Sequence, residues 1–565
     1  MKSKTDKSSA FNGVVVLTLA LIIVKILSAI YRVPYQNILG DEGLYAYQQV
    51  YPIVALGVIL TMNAIPSAVT QMFGSDGHPR QYMKVLVGLQ IVSTSFFLVL
   101  LICAKWIAAL MGDVNLAPML SASSFSFLFV SILGIYRGYY QAHQNMNIPA
   151  ISQVIEQFVR VGIIIIAIVL FMTQQWSLYA AGTLAIIGSA FGFLASSIYL
   201  VLKRPFKLTA FKAQNIERNK VVAWRQLALA IVIFAVSQLI VIVWQVVDSF
   251  TVIHALRNTG LSFQESTTQK GIYDRGASFI QMGLIVTTTF CFVLIPLLTD
   301  AIKVKNHVLI NRYANASIKI TMLFSIAAGI GLINLLPIMN HVFFKNDSQT
   351  GTLAVYMLTV IFVSLIMMDI ALLQVKNQVR SIFQAFITGV VSKAILNVVL
   401  IPPFFMLGGS LSTVLSLILF AAILHYHVLK HYQFRNMKKY VAKLIFTMLI
   451  LSVTVQLTMW LLPTQGRVAG IVELVVAAGV GVIVIIIAIV RTELLSFKEL
   501  KHLPLGDKLI HMKRRETIMT GKIIIVGLGN YGIDELPFGV YKFFEAALLR
   551  LYAYVRSSSY RNIDF

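Results

Sequence analysis

The sequence predicts an all-α polytopic membrane protein of about fourteen transmembrane helices, and three observations support this fold class. First, 58% of the 565 residues are hydrophobic and only 12% are charged, with a mean hydropathy of +0.81. Soluble globular chains of this length are less apolar. Second, apolar windows of roughly 20 residues recur along the chain, each long enough to cross a hydrocarbon core about 30 Å thick. Third, Lys and Arg are concentrated in alternate loops.

The apolar windows begin near positions 11, 46, 84, 118, 150, 179, 226, 276, 319, 352, 382, 409, 442 and 468. The first window is too long for the core of a signal peptide, and no convincing small-residue cleavage site follows it. We therefore expect it to be retained as a helix.

The loop charges predict the orientation of the helices. An even number of helices puts both termini on one side, and Lys2, Lys4 and Lys7 mark that side as cytoplasmic. The loops predicted to lie outside, TQQWS and GDVNLA, contain no Lys or Arg. The net charge of +24 is thus explained by topology and by contact with anionic lipid headgroups. We expect the lipid bilayer as a partner, and no nucleic acid.

The sequence lacks the motifs that would indicate an enzyme or a resident cofactor. The sequence has no Walker A pattern, and neither an HExxH nor a GxSxG motif in its required setting. Cys103 and Cys291 fall in different predicted helices, which suggests neither a disulfide nor a metal site. We expect no catalysis, no cofactor and no metal.

An internal repeat with a shift near 230 positions organises the chain. GLY at 43–45 recurs as GIY at 271–273, Ile65-Pro66 recurs as Ile295-Pro296, and Arg160 meets Lys393. Each copy has six predicted helices, so the copies share one orientation and are related by an axis along the membrane normal. The predicted division is a first lobe at 1–205, a basic linker at 206–225, a second lobe at 226–432, two further helices at 433–492 and a cytoplasmic tail at 493–565.

Ionisable residues inside the apolar windows are the strongest functional signal, because charge at bilayer depth is costly and usually faces a cavity or a partner. Cations outnumber acids among them. Arg matches phosphate geometry and Lys supplies a compact charge, so this excess favours an anionic substrate such as a pyrophosphate. The candidate cations are Lys25, Arg32, Arg137, Arg160, Arg275 and Lys393, and the candidate charge partners or coupling groups are Glu156, Asp248 and Asp369.

Some of these residues have simpler explanations. Glu156 and Arg160 are four positions apart, so we expect them to pair on one helix face. Asp248 is a candidate partner for Lys25 or Arg275. Structural ion pairs between helices are the alternative for any single residue, Arg32 and Arg275 could snorkel to the interface, and Arg137 could be a cytoplasmic anchor.

Prolines and aromatic residues give weaker signals. Pro66 and Pro296 remove backbone hydrogen bonds within helices and predict kinks beside a cavity or moving element. Aromatic residues near helix ends are expected to form interfacial belts rather than ligand platforms; these are Tyr45, Tyr47, Tyr51, Trp106 and Trp244.

Several segments resemble a known family: KILSAIYRVPYQNILGDEGLYAYQQVYPI, NAIPSAVTQMF, YRGYYQAHQNMNIPAISQVIEQFVRVG and GIYDRGASFIQMG. They are similar to the polysaccharide transporter branch of the multidrug/oligosaccharidyl-lipid/polysaccharide (MOP) exporter superfamily, especially its lipid II flippases and stage V sporulation protein B relatives. The similarity covers about residues 10–500. It implies a two-lobed flippase in which a basic cavity binds pyrophosphate and helices 13 and 14 hold the lipid tail. Lys25 and Arg275 fall at cavity positions of the family, and Arg32 matches approximately.

The resemblance also implies a substrate and a location. We expect a polyprenyl-pyrophosphate-linked glycan as substrate, a multi-pass protein of the bacterial plasma membrane with cytoplasmic termini, and a monomer that uses a coupling ion or the membrane potential. An exporter of small cationic drugs is the main alternative, although such a cavity would favour acids. A membrane-bound polymerase or ligase is a further alternative and would need sizeable outer loops.

The C-terminal segment differs in character from the rest. Residues 519–565 begin MTGKIIIVGLGNYGIDELPFGVYKFF and place Gly527, Gly529 and Gly532 in a GxGxxG match. A dinucleotide site needs a whole βαβ unit, which this short segment cannot supply. It resembles the opening strand and glycine loop of tetrapyrrole-methylase-like domains, so we expect a truncated fusion fragment.

Overall fold

The computed structural model describes residues 23–24, 27–28, 31–74, 77–203, 222–291, 294–462, 466–492 and 494–500, with 506 and 510. Every regular element within these ranges is a helix, which confirms the predicted all-α class. The chain divides at Ile510 into two compact units. Lys25, most of the predicted linker and the 519–565 segment lie outside the described residues, so the expectations for them stay predictions.

The helices follow one another in the chain as follows. They are α1 Arg32–Ile59, α2 Ile65–Phe73, α3 Pro79–Leu110, α4 Ala117–Ser124, α5 Val130–Ala142, α6 Asn147–Gln174, α7 Leu178–Leu202, α8 Trp224–Arg257, α9 Phe263–Cys291, α10 Ile295–Lys303, α11 His307–Phe344, α12 Thr350–Met357, α13 Thr359–Val375, α14 Val379–His431, α15 Met437–Leu461, α16 Arg467–Arg491 and α17 Phe497–Leu500. Short π or 3₁₀ segments join several of them.

Eleven stretches of the described chain are long and apolar enough to cross a membrane, so this is a multi-pass membrane protein. The fourteen predicted windows differ from these eleven for three reasons. The first window falls almost wholly outside the described residues. The window near 276 lies on α9, whose first half carries four charged residues. The windows near 382 and 409 both fall on α14.

Helix α14 is two membrane spans joined by a sharp turn. Its 53 residues would extend about 80 Å as a straight helix, far more than a bilayer core. The backbone leaves helical geometry at Phe405 (φ 50°, ψ −135°), directly after Pro402 and Pro403. The chain then folds back so closely that a Cβ on Gly408 would lie 2.0 Å from the Leu400 carbonyl oxygen. Glycine is therefore required in this turn.

The two repeat copies have corresponding breaks. Ile65-Pro66 and Ile295-Pro296 each begin a nine-residue helix, where a proline needs no backbone donor. A π-helical turn, Leu60–Ala64, precedes Pro66. Within α1 a second break occurs at Gly40 (φ 75°, ψ −175°), so this helix also comprises two segments.

Helix α8 connects the two halves of the hydrophobic core. Four apolar clusters are present, two built mainly from residues before 203 and two mainly from residues after 236. Helix α8 contributes to each of them, with Leu227, Trp244, Ile253 and Leu256 as examples. It is therefore common to both halves. The division into two lobes remains a prediction.

Candidate functional site

Two arginines and three tyrosines form a buried cluster between α1 and α6. Arg160 donates from Nη2 to the hydroxyls of Tyr31 (3.3 Å) and Tyr47 (3.1 Å). The Tyr51 ring lies 5.2 Å from the Arg32 guanidinium carbon and 5.1 Å from that of Arg160. Both arginines are almost completely buried. These five residues are called the arginine–tyrosine cluster below.

The cluster follows from helical spacing. Tyr47 and Tyr51 are four positions apart, as are Tyr31 and Tyr35, so each pair lies on one helix face. The rings of Tyr31 and Tyr35 contact that of Tyr47, with centroids 6.1 Å and 5.1 Å away. An aromatic face attracts a cation through its quadrupole, so this wall stabilises arginines at a depth where charge is costly.

The cluster carries unused hydrogen-bond donors. Nε and Nη1 of Arg32 and Nε of Arg160 are buried and have no acceptor. Neither arginine forms an ion pair within the described part of the chain. A buried charged donor without a partner carries a large desolvation cost. An anion placed between the two guanidinium groups would remove that cost.

Lys393 is buried in an oxygen-lined cage in the second half of the chain. Its ammonium has three protons and pairs with Asp248 at 2.7 Å. Four further oxygens surround Nζ: Asn397 Oδ1 at 2.9 Å, Thr413 Oγ1 at 2.7 Å, Ser412 Oγ at 3.0 Å and the Gly409 carbonyl at 3.4 Å. Asp248 is on α8, Asn397 is on the first segment of α14, and the other three oxygens are on its second segment, after the turn. This charge is therefore neutralised and fully hydrogen-bonded.

Helix α9 lies between the Lys393 cage and the arginine–tyrosine cluster. Lys270 and Asp274 form an ion pair on it. Asp274 is close enough to interact electrostatically with Arg32 and with Asp248. Arg32 of the first half and Asp248 of the second half therefore both lie near Asp274, and this region is called the centre below. Arg32 and Arg160 account for its net positive charge, since Lys270 and Lys393 are each paired with an acid.

Arg275 joins α9 to α1. Its Nη2 lies 2.6 Å from both carboxylate oxygens of Asp41, and its Nη1 donates to the Asn346 carbonyl at 3.3 Å. One turn earlier, a Cβ on Gly271 would lie 2.0 Å from the Asp41 carbonyl oxygen. Glycine allows the two helices to cross at this distance. The loop charges predict that this crossing lies at the outer end of the bundle.

Arg137 and Glu156 form a separate buried pair. Arg137 Nη2 donates to Glu156 Oε2 at 2.7 Å and to Ser196 Oγ at 3.0 Å, and its Nε donates to Ser152 Oγ at 2.9 Å. The predicted pairing of Glu156 with Arg160 is therefore wrong. The carboxylate of Glu156 is taken by a neighbouring helix, and Arg160 faces the tyrosines instead.

Asp369 pairs with His425, at 3.3 Å between Oδ2 and Nδ1. These residues lie on α13 and on the second segment of α14. Asp369 is buried, and the His425 ring stacks on Phe434. No contact connects this pair to the arginine–tyrosine cluster among the bonds seen in the described chain.

The six predicted cations thus divide into different environments. Arg32 and Arg160 come together in one cluster. Arg137, Arg275 and Lys393 each pair with an acid, and Lys25 lies outside the described residues. The suggested partners of Asp248 were Lys25 or Arg275; the structure pairs it with Lys393, and Arg275 takes Asp41. Neither Arg32 nor Arg275 snorkels, because both are buried.

Sequence reasoning missed the tyrosines and the acid Asp41. Tyr45, Tyr47 and Tyr51 were assigned to an interfacial belt, but all three are buried, and two of them contact the arginines. Trp244 is also buried, donating from Nε1 to Ser416 at 2.8 Å, whereas Trp106 is exposed. The i, i+4 spacing of tyrosines next to an intramembrane arginine was the available signal.

Comparisons with known proteins show which family this sequence matches. The sequence profile of the family described as "Polysaccharide biosynthesis protein" matches residues 10–302. An uncharacterized membrane protein, YabM of Bacillus subtilis, is 31% identical over 520 residues, covering 90% of this chain and 97% of its own. Lipid II flippase MurJ of the same organism is 25% identical over 515 residues, covering 84% and 94%.

A solved structure supports the same conclusion at the level of the fold. Lipid II flippase MurJ in an inward closed conformation superimposes with a TM-score of 0.64 at 16% sequence identity, over 85% of this chain and 99% of that one. The predicted resemblance is therefore confirmed. The chain belongs to the polysaccharide biosynthesis protein family of transporters within the MOP exporter superfamily.

Proposed function

We propose that this protein is a flippase for undecaprenyl-pyrophosphate-linked sugars, either lipid II or another polysaccharide precursor. It moves them from the inner to the outer leaflet of the bacterial plasma membrane by alternating access. The observation that carries this proposal is the buried pair Arg32 and Arg160, with three guanidinium nitrogens unused. Family membership and the name of one relative, a lipid II flippase, support the same substrate class.

The chemistry of the cluster suits a pyrophosphate. Guanidinium groups bind phosphate oxygens through paired N–H donors, and Arg32 and Arg160 offer such donors close to the Tyr51 ring. The hydroxyls of Tyr31 and Tyr47 already contact Arg160 and can rotate to donate to an oxygen anion. The paired charges nearby, Lys270 with Asp274 and Lys393 with Asp248, leave the net positive charge at the two arginines.

Alternating access requires the lobes to separate at one end of the bundle at a time. In the described conformation the Asp41–Arg275 pair and the close crossing at Gly271 hold α1 against α9. If this end faces outward, as the loop charges predict, the contact closes the outer end, and the opposite end is the one that would open to the cytoplasm. Substrate would then load from the inner leaflet, and breaking the Asp41–Arg275 contact would release it outward.

No ATP hydrolysis is needed for this scheme. An inside-negative potential favours outward movement of an anion by about 2.3 kcal/mol per charge per 100 mV. A coupling ion is the alternative source of energy. We further propose that the protein acts as a monomer with both termini in the cytoplasm.

The charge distribution is less suited to the drug-exporter alternative. A cationic drug needs an available carboxylate, but Asp41, Glu156, Asp248 and Asp274 each pair with a cation. The buried Asp113 has no cation partner among the described residues, and its carboxylate accepts from the hydroxyls of Tyr45 and Tyr179. Among the buried cations of the described residues, the two without an acid partner are Arg32 and Arg160. Transport of an anion therefore fits this centre better, and no catalytic step is proposed.

The proposal is tested by depleting the protein in its own cells and measuring lipid-linked peptidoglycan precursor in the inner leaflet. We expect the precursor to accumulate, and wild-type protein to reverse this. R32Q/R160Q should fail to reverse it, while R32K/R160K should recover part of the activity because it keeps the charge and loses the paired donors.

A matched control removes two exposed charges outside the membrane. K303Q/K305Q changes the last residue of α10 and a residue of the loop that follows, both of which are exposed, and should restore transport fully. Equal activity of R32Q/R160Q and this control would overturn the assignment of the site. If depletion leaves the precursor level unchanged, the substrate would instead be another polyprenyl-linked glycan.

A further inference from the structure

A polar cavity lies at the start of α11, and none of its lining residues belongs to the site described above. Its volume is about 450 Å³. Its walls come from the first turns of α11 and from the loop between α14 and α15. The polar residues that line it are His307, Asn311, Arg312, Asn315, Gln433 and Arg435. Both segments belong to the end of the bundle that is predicted to be cytoplasmic.

The cavity is cationic. Arg312 and Arg435 reach it from different segments, and no acid lines it. Neither arginine forms an ion pair among the residues that the structure describes. A basic loop residue needs no ligand, since topology alone explains it. Two unpaired arginines converging on one cavity from separate segments are a more specific arrangement.

The amide groups of the cavity give a second, independent observation. The backbone N–H of Gln433 donates to Asn311 Oδ1 at 3.1 Å, which holds the loop against α11. Asn315 also lines the cavity, and its Oδ1 is buried and has no partner. An amide oxygen in this position accepts a hydrogen bond from a hydroxyl or an amine. The cavity therefore offers positive charge together with an unused acceptor.

The N-terminal end of α11 adds to the positive electrostatic potential in the cavity. This helix has 38 residues, and the side chain of Asn306 caps it by accepting from the Leu309 N–H. The positive end of its dipole is thus directed toward the loop that carries Arg435. Basic pockets between transmembrane helices on the cytoplasmic side are known to take lipid headgroups.

We propose that this cavity binds a phosphate ester that also carries a hydrogen-bond donor. Arg312 and Arg435 contact the phosphate, and Asn315 accepts from the donor. Phosphatidylglycerol has this chemistry in its headgroup, and glycerol 3-phosphate presents it in soluble form. The inference does not depend on the transported substrate, because the cavity and the arginine–tyrosine cluster share no residue.

The test uses the full chain in a neutral detergent and measures dissociation constants by isothermal titration calorimetry. The probes are dihexanoyl-phosphatidylglycerol, dihexanoyl-phosphatidylcholine, glycerol 3-phosphate and inorganic phosphate. We expect R312Q/R435Q to weaken binding of phosphatidylglycerol about tenfold or more, which corresponds to about 1.4 kcal/mol. N315L should weaken binding of phosphatidylglycerol more than binding of inorganic phosphate, because only the first has a donor.

The matched control is K438Q/K439Q, which removes two exposed positive charges from the start of α15. Its dissociation constants should stay within about twofold of the wild-type values, because neither lysine lines the cavity. Binding of the lipid alone identifies a headgroup site, and equal binding of glycerol 3-phosphate identifies a soluble ester. Equal losses in R312Q/R435Q and the control, or no binding of any phosphate probe, would overturn the proposal.

Discussion

Asp41 and Arg275 are 234 positions apart in the chain, yet Nε and Nη2 of Arg275 contact the Asp41 carboxylate at 2.6 to 2.9 Å. Their side chains are 14% and 0% exposed. The contact connects a helix of the first half to a helix of the second half. Removing one partner of a buried pair typically costs about 3–5 kcal/mol, because the other charge is left unpaired. This pair is therefore suited to hold one end of the bundle closed.

We expect Asp41→Ala and Arg275→Ala to open this end, and the swap D41R/R275D to restore closure in part. Ser266, buried near the start of α9, serves as a cysteine reporter after Cys103 and Cys291 are replaced by Ser. Labelling of Ser266→Cys by an impermeant maleimide in intact cells should rise several-fold in the single variants. Thr268→Ala, which removes the hydroxyl contacts to Glu42 and to the Gln264 carbonyl, is the control. Unchanged labelling in all variants would contradict the gating role.

The second prediction concerns Tyr51, the nearer of two rings that both arginines contact. Tyr51→Phe keeps this ring and should transport like wild type, whereas Tyr51→Leu removes its two cation–π contacts and leaves those to the more distant Tyr31 ring. A desolvated cation–π contact is worth about 2 kcal/mol. Transport by Tyr51→Leu should fall at least tenfold. Complementation of a depleted strain measures this. A similar loss in Tyr51→Phe would mean that the hydroxyl, rather than the ring, is required.

The third prediction concerns the Lys393 cage. Lys393→Ala leaves Asp248 buried without its cation, so the unfolding free energy should fall by about 3–5 kcal/mol. The neutral pair K393M/D248N should recover much of this stability. Thermal unfolding of the purified variants in detergent measures both effects. If the double variant is no more stable than Lys393→Ala, loss of the neighbouring hydroxyl contacts dominates instead.

The fourth prediction concerns the crossing of α1 and α9. Gly271→Ala places a methyl group against the Asp41 carbonyl, and overpacking of this kind costs about 1–3 kcal/mol. The variant should unfold at lower temperature and lose transport. Gly331→Ala is the control, because nothing lies within 4 Å of the added Cβ. In a helix interior this change should be neutral or stabilising by about 0.5–1 kcal/mol. Equal stability of the two variants would rule out close approach as the role of Gly271.

Composition and periodicity predicted the helical membrane fold, since hydropathy depends on local sequence alone. They also identified Arg32, Arg160 and Lys393, but they did not identify Lys270, which pairs with Asp274 at the same centre. The partners could not be predicted in the same way. Glu156 pairs with Arg137 rather than Arg160 because the packing of neighbouring helices decided the outcome over sequence spacing.

The internal repeat could not predict the contacts between residues far apart in the chain. Arg160 and Lys393 occupy equivalent repeat positions, but one faces tyrosines and the other an aspartate and hydroxyls. The two copies have therefore diverged in the groups that surround an equivalent cation. A single sequence shows which cations recur and does not show which of them lost an acid partner.

Helix α8 supplies residues to all four apolar clusters, and this limits how the chain can be divided. The repeat predicts that it is the first helix of the second copy, yet Leu227 and Ile253 belong to clusters built mainly from the first half. A fragment that ends before Trp224 would expose apolar surface in two clusters, so the first half is not an independent folding unit. Hybrid proteins that exchange halves with a relative should therefore transfer α8 together with the first half. The duplicated sequence has become a single interdependent body.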